Sequence, residues 1–174
     1  MLEGVINLFS FAKKKHAVAV TTRLSSPVNG QIIKLAQVAD PVFAGEKMGP
    51  GLGIEPSDGQ ISAPVAGKIS MIAETKHAIG IKTADGLDVL LHLGIDTVNL
   101  QGKPFNVLVK LGQKIKEKQR LVEMDLAAIK QQHLKTTVIL VITNAVDHKI
   151  GVEVTDRQTV AAGELAAEIK QDKE

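Results

Sequence analysis

Cysteine is absent from this 174-residue chain. That removes disulfides, thiolate metal ligands and a cysteine nucleophile together, and it suits a cytosolic protein. Tryptophan and tyrosine are absent as well and phenylalanine occurs four times, so the platforms on which nucleic-acid bases stack are missing. Nucleic acid is therefore not an expected partner. No apolar run approaches the roughly 20 residues of a membrane-spanning helix, and the N-terminus lacks the basic-then-apolar order of a secretory signal. A dominant charge is missing too: 21 Lys and Arg against 19 Asp and Glu leave a net charge of +2, with both signs mixed along most of the chain.

What is present is aliphatic. Hydrophobic residues make up 44% of the sequence, enough for one domain with a real core built from Val, Ile, Leu and Ala, plus a short appendage. Residues 1–15 place Leu2, Val5, Ile6, Leu8, Phe9 and Ala12 at mostly helical spacing and end in Lys13-Lys14-Lys15. This segment reads either as an amphipathic anchor making weak contact with an anionic membrane surface or as a leader helix packed on the domain. Residues 16–25 read as a linker or an edge strand, 26–170 as the domain proper, and 171–174 as a polar tail.

From Ser26 onward short apolar runs alternate with turn residues, as in Pro41-Val42-Phe43 and Gly49-Pro50-Gly51-Leu52-Gly53-Ile54. Such spacing predicts an all-β fold, an antiparallel sandwich or barrel. Ser26-Pro27-Val28-Asn29-Gly30-Gln31-Ile32 and Ala63-Pro64-Val65-Ala66-Gly67-Lys68-Ile69 share the pattern small-Pro-Val-x-Gly-x-Ile, 37 residues apart. The match predicts an internal duplication, and the same offset aligns Asp40 with His77. Residues 112–123 and 156–165 share a rhythm of polar turn and apolar run that predicts two further hairpins, 102–111 and 126–133 are helical candidates, and Thr136 to Thr143 suits a central strand. The glycines from Gly49 to Gly53 form a turn and not a phosphate loop, since no Gly-Lys-Ser/Thr follows. His16, His133 and His148 lie among polar neighbours and read as surface residues.

The other two histidines are the candidates for chemistry. Gly80-Ile81-Lys82 and Leu87-Asp88-Val89-Leu90-Leu91 flank Thr83-Ala84-Asp85-Gly86, and Asp-Gly between two such runs is a strong hairpin signal. A four-residue loop sets His77 directly opposite His92, with Cβ atoms roughly 4.5–5.5 Å apart; a two-residue loop makes them diagonal neighbours at about 7–8 Å. A three-residue loop puts them on opposite faces. Alternation sends Val89, Leu91 and Leu93 to one face and Asp88, Leu90 and His92 to the other, so His92 has apolar company in Leu90 and Ile79.

Three chemistries could use a converging pair. Zinc takes two imidazoles but wants further donors, and the nearby ones are Glu74, Asp88 and Asp96. Acid–base catalysis lacks a serine or cysteine elbow to activate. Phosphoryl carriage needs one neutral imidazole as nucleophile and a second as hydrogen-bond donor to the phosphoryl oxygens, in an apolar dish that keeps water from a labile phosphohistidine.

Val42-Phe43-Ala44, Pro64-Val65-Ala66-Gly67, Glu74-Thr75-Lys76-His77-Ala78, His92-Leu93-Gly94-Ile95-Asp96-Thr97-Val98 and the Gly112-Gln113-x-x-Lys116 turn together resemble the glucose-type IIA component of the bacterial phosphoenolpyruvate-dependent sugar phosphotransferase system. The resemblance runs from about Ser26 to Ile169. It implies an antiparallel β-sandwich in which His92 accepts phosphate from HPr and passes it to a cysteine on the IIB domain of a sugar permease. By the same resemblance His77 is the supporting imidazole, Thr75 orients it, Gly94 allows close backbone approach to the phosphate, and Asp96 is a rim carboxylate for cationic side chains of HPr. Val42, Phe43, Met48, Leu90 and Val98 become an apolar docking surface. No cofactor is required, and zinc on the His77–His92 pair is an accessory option. Where the family often has aromatics, this chain has Ala73 and Ile79, which implies a flatter docking surface. The competing reading is a metal-binding module or a lipoyl or biotinyl carrier, since those domains are also duplicated sandwiches; Lys76, however, lies one residue away from the acceptor position that His77 occupies.

Overall fold

A computed structural model describes residues 20–171. The readings placed on residues 1–15, on His16 and on 172–174 lie outside the described residues. The strands are β1 (Val20–Ser25), β2 (Gly30–Lys34), β3 (Gly51–Pro56), β4 (Gln60–Ser62), β5 (Gly67–Ile72), β6 (Ala78–Lys82) and β7 (Asp88–Leu93). They continue as β8 (Phe105–Val107), β9 (Lys114–Ile115), β10 (Arg120–Met124), β11 (Val138–Ile142), β12 (Ile150–Val154), β13 (Thr159–Val160) and β14 (Leu165–Gln171). Two short helices, α1 (Pro41–Ala44) and α2 (Leu126–Gln131), complete the described secondary structure together with 3-10 turns at Leu35–Gln37 and Thr97–Leu100.

The expected antiparallel β-sandwich is what forms. An eight-stranded sheet runs in the order β13-β2-β3-β11-β7-β6-β5-β9, accompanied by the three-stranded sheets β1-β14-β12 and β4-β10-β8. Within the span read as a linker or edge strand, Val20–Ser25 is an edge strand, pairing with β14 alone. Thr136 to Thr143 supplies the central strand: β11 lies between β3 and β7 and is buried at all five positions. Its side chains alternate, with Val138, Leu140 and Ile142 in the main core and Ile139 and Val141 in a smaller apolar cluster on the other face. Removing each such side chain from water stabilises the fold by about 1.5–3 kcal/mol.

The duplication is visible in the backbone. Ser25 N–H donates to the Pro64 carbonyl at 2.8 Å, and in exchange Ser62 N–H donates to the Pro27 carbonyl at 2.7 Å. The correspondence continues: Ser26 N–H donates to Glu164 O and Ala63 N–H to Gln119 O; Ile32 N–H donates to Gln158 O and Ile69 N–H to Gln113 O. The two halves clasp each other through equivalent amides and carbonyls.

Four expectations change. Pro41-Val42-Phe43 is the helical turn α1, because Asp40 caps it by accepting from Val42 N–H at 2.8 Å and proline is favoured at a first helical position. The segment 102–111 is not helical; it holds β8 between turns, with Gly102 at φ +78°. Residues 112–123 and 156–165 do not fold back as hairpins. β9 pairs with β5 whereas β10 joins β4 and β8, and β13 pairs with β2 whereas β14 joins β1 and β12. The turns between them, with Lys118 at φ +68° and Gly163 at φ +86°, carry the chain from one sheet to another. Gly49, at φ +108°, turns into β3, which begins at Gly51.

Candidate functional site

His92 stands on β7, opposite Ala78 of β6 and Ile139 of β11. Alternation along β7 holds: Val89, Leu91 and Leu93 enter the main core, and Leu90 joins the smaller cluster on the histidine side. The hairpin register corrects the sequence argument. Thr83 N–H donates to Leu87 O at 3.0 Å and Gly86 N–H to Thr83 O at 3.2 Å, which leaves the three-residue loop Ala84-Asp85-Gly86 with Gly86 at φ +93°. Strand alternation assigned that loop to histidines on opposite faces. The rings nevertheless meet, because His77 is not a strand residue. A turn closed by Lys76 N–H on Ala73 O at 2.8 Å, with Lys76 at φ +59°, re-aims the side chain before β6 begins. His77 O then accepts from Leu93 N–H at 2.7 Å, anchoring the turn to the far end of β7.

The two imidazoles lie 5.1 Å apart between ring centroids and nearly perpendicular, at 76°. Phe43 packs on the other side of His92 at 4.9 Å. Beneath them Phe43, Ala78, Leu90, Ile139 and Val141 form a buried floor. Ile79 takes no part in it, since it is fully buried in the main core, whereas Ala73 packs against the site cluster. Of the residues assigned to docking, Val42, Met48 and Val98 are exposed, and Phe43 and Leu90 are buried.

The Thr75 hydroxyl lies 2.6 Å from His77 Nδ1, so it can hold that ring's orientation and tautomer. His92 Nδ1 is buried without a hydrogen-bond partner. The Gly94 carbonyl favours the protonated ring but does not reach hydrogen-bond geometry with it. Gly94 itself has φ +78°, and a Cβ there would come within 2.4 Å of the Thr97 methyl and 3.0 Å of Lys135 O. The turn after His92 therefore requires glycine.

Burial lowers the His92 pKa to about 4, and the neighbouring His77 charge pushes in the same direction; the Gly94 carbonyl, Asp40 and Asp96 oppose the shift. Burial also holds His77 below the usual imidazole value. Both rings are therefore neutral near pH 7. Asp96 stands on the exposed rim at φ +57°. Sequence reasoning did not include Asp40 and Ile139 in the site. The signals for Asp40 were its alignment with His77 and the Asp-Pro start of α1; a single strand pattern gives no sign that Ile139 lies behind His92.

Zinc fits poorly. A closed zinc site wants four ligands, and among the described residues no group of three His, Cys, Asp or Glu side chains is placed to hold a metal. Asp88 is engaged with Lys82 at 2.9 Å at the other end of the hairpin.

A duplicated antiparallel sandwich thus holds two neutral imidazoles side by side over an apolar floor. Comparison with known proteins supplies the family. A family model described as phosphoenolpyruvate-dependent sugar phosphotransferase system, EIIA 1, matches residues 22–148. The glucose-specific EIIA component of Staphylococcus epidermidis is 38% identical over 154 residues, 88% of this chain and 92% of that protein. The glucose-specific EIICBA component of Streptococcus pneumoniae is 47% identical over 129 residues, which are 74% of this chain and 18% of that longer protein. Glucose permease IIA from Mycoplasma capricolum matches with a TM-score of 0.80 at 32% identity, covering 86% of this chain and 96% of the other. The chain belongs to the EIIA 1 family, the phosphoryl-carrying EIIA components of the sugar phosphotransferase system. Among the described residues no helix is long and apolar enough to cross a membrane.

Proposed function

We propose that this chain is a glucose-type EIIA whose His92 Nε2 takes the phosphoryl group from phospho-HPr and hands it to a cysteine on the IIB domain of a sugar permease. With Nδ1 buried, Nε2 is the nitrogen a partner can reach. The depressed pKa keeps the ring neutral at pH 7, and with its one proton on the buried Nδ1 the lone pair is on Nε2. In the first step the N–P bond of phospho-HPr breaks as the bond from His92 Nε2 to phosphorus forms; in the second that bond breaks as sulfur attacks. The Thr75 hydroxyl, donating to His77 Nδ1, leaves the proton on His77 Nε2, where it can donate to phosphoryl oxygens as charge gathers on them. Asp96 and Asp40 supply negative charge beside the ring for a cationic partner surface, and Val42, Met48 and Val98 supply its exposed apolar contacts.

The 5.1 Å approach of the two rings above a buried apolar floor carries this reading. Labelling with phosphoenolpyruvate, enzyme I and HPr tests it. The wild-type chain gains one acid-labile phosphoryl group and a folded His92→Ala variant gains none; labelling of that variant at the wild-type rate assigns the acceptor elsewhere.

A further inference from the structure

Away from the histidines, the eight-stranded sheet carries three lysines in direct cross-strand register. Lys114 of β9 stands opposite Lys68 of β5, and Lys68 opposite Lys82 of β6. Like charges in direct cross-strand register destabilise a sheet. Lys82 is relieved by Asp88 at 2.9 Å, and Glu117 hydrogen-bonds Ser25. Among the described residues, no carboxylate lies within 4.0 Å of Lys68, Lys110, Lys114 or Lys116. Ile115 of β9 is buried, and Lys114 before it and Lys116 after it are exposed.

An apolar tip rises among these lysines. Leu111 is 68% exposed and Leu108 44%. Gly112, at φ +80°, fixes the turn, and its amide is held by Ile69 O at 2.8 Å. The methylene next to the Lys68 ammonium would lie 3.7 Å from a Cβ at Gly112, so this cation sits beside the leucine-bearing turn. Lys82, the member of the row on β6, lies four residues from Ala78, about 13 Å at a strand rise of ~3.3 Å per residue.

We propose that this edge, with Leu111 as a wedge and Lys68, Lys110, Lys114 and Lys116 along it, is a docking surface for an anionic phospholipid bilayer. An exposed leucine beside unpaired cations matches the boundary between acyl chains and acidic headgroups. The inference is independent of the phosphoryl reading and of residues 1–15.

The chain has no Trp or Tyr, so full-length Leu111→Trp carries a single unambiguous fluorophore. Its emission shifts to the blue on adding mixed phosphatidylcholine–phosphatidylglycerol vesicles, and not on adding phosphatidylcholine alone. In co-sedimentation, Lys68→Gln/Lys114→Gln lowers the partition coefficient by roughly fivefold per lysine, the equivalent of ~1 kcal/mol each, with unchanged far-UV circular dichroism. Lys13-Lys14-Lys15 is present throughout, so the difference reports this edge alone. An unmoved emission maximum or unaltered sedimentation overturns the proposal. So does a double variant that sediments normally yet delivers phosphoryl poorly to a IIB domain, which would assign the row to an acidic protein instead.

Discussion

At the scale of single residues, burial keeps His92 uncharged. Its pKa of about 4 lies well below the free value of 6.5, so the folded state binds fewer protons than the unfolded chain between those limits. This contribution to stability is fully present above pH 6.5 and is lost as pH falls through about 4. The His92 ring resonances are expected to stay in their neutral positions from pH 8 to about pH 5, and His92→Gln to flatten the acid limb of urea-unfolding stability; a midpoint near 6.5 contradicts the burial argument. His77 acts differently. His77→Gln keeps a donor while losing the imidazole, so phosphorylation of His92 should persist while delivery to IIB falls at least tenfold, measured by single-turnover transfer. Unimpaired delivery removes His77 from the mechanism.

At the scale of elements, α1 and the two turns around the histidines set the geometry. Asp40 caps α1 and so places Phe43 against His92. Asp40→Ala is expected to cost ~1 kcal/mol in chemical denaturation, the usual loss of an N-cap, and to shift the His92 ring resonances; Asp40→Asn, still an acceptor, restores most of both. Much of this was legible in the chain. Alternation along β7 followed from period-two patterning and the hairpin from its Asp-Gly signal, whereas the meeting of His77 and His92 followed from an even-length loop that the structure replaces and from the family motifs. The register did not follow from pattern. Loop length was undetermined by one residue, and the turn that re-aims His77 depends on Lys76 at positive φ, a conformation for which lysine carries no signal. The supposed hairpins at 112–123 and 156–165 failed similarly: pattern locates strands but does not say which sheet receives them.

At the scale of the whole molecule, β11 joins the two faces of the large sheet to one another. Leu140 faces the main core and Ile139 the floor of the site. Leu140→Ala should therefore lower stability by roughly 3–5 kcal/mol, whereas Ile139→Ala should combine a smaller loss with slower phosphoryl acceptance; equal kinetic effects from the two would deny that the faces act separately. The sandwich class was readable because strands are short and turns frequent, and the central strand because it is apolar throughout. The doubling was readable only in one seven-residue stretch. The exchange of Pro27 and Pro64 carbonyls explains why. A joint made of main-chain groups places almost no demand on side-chain identity, so each half was at liberty to diverge, one toward chemistry and the other toward scaffolding, without the seam between them coming apart.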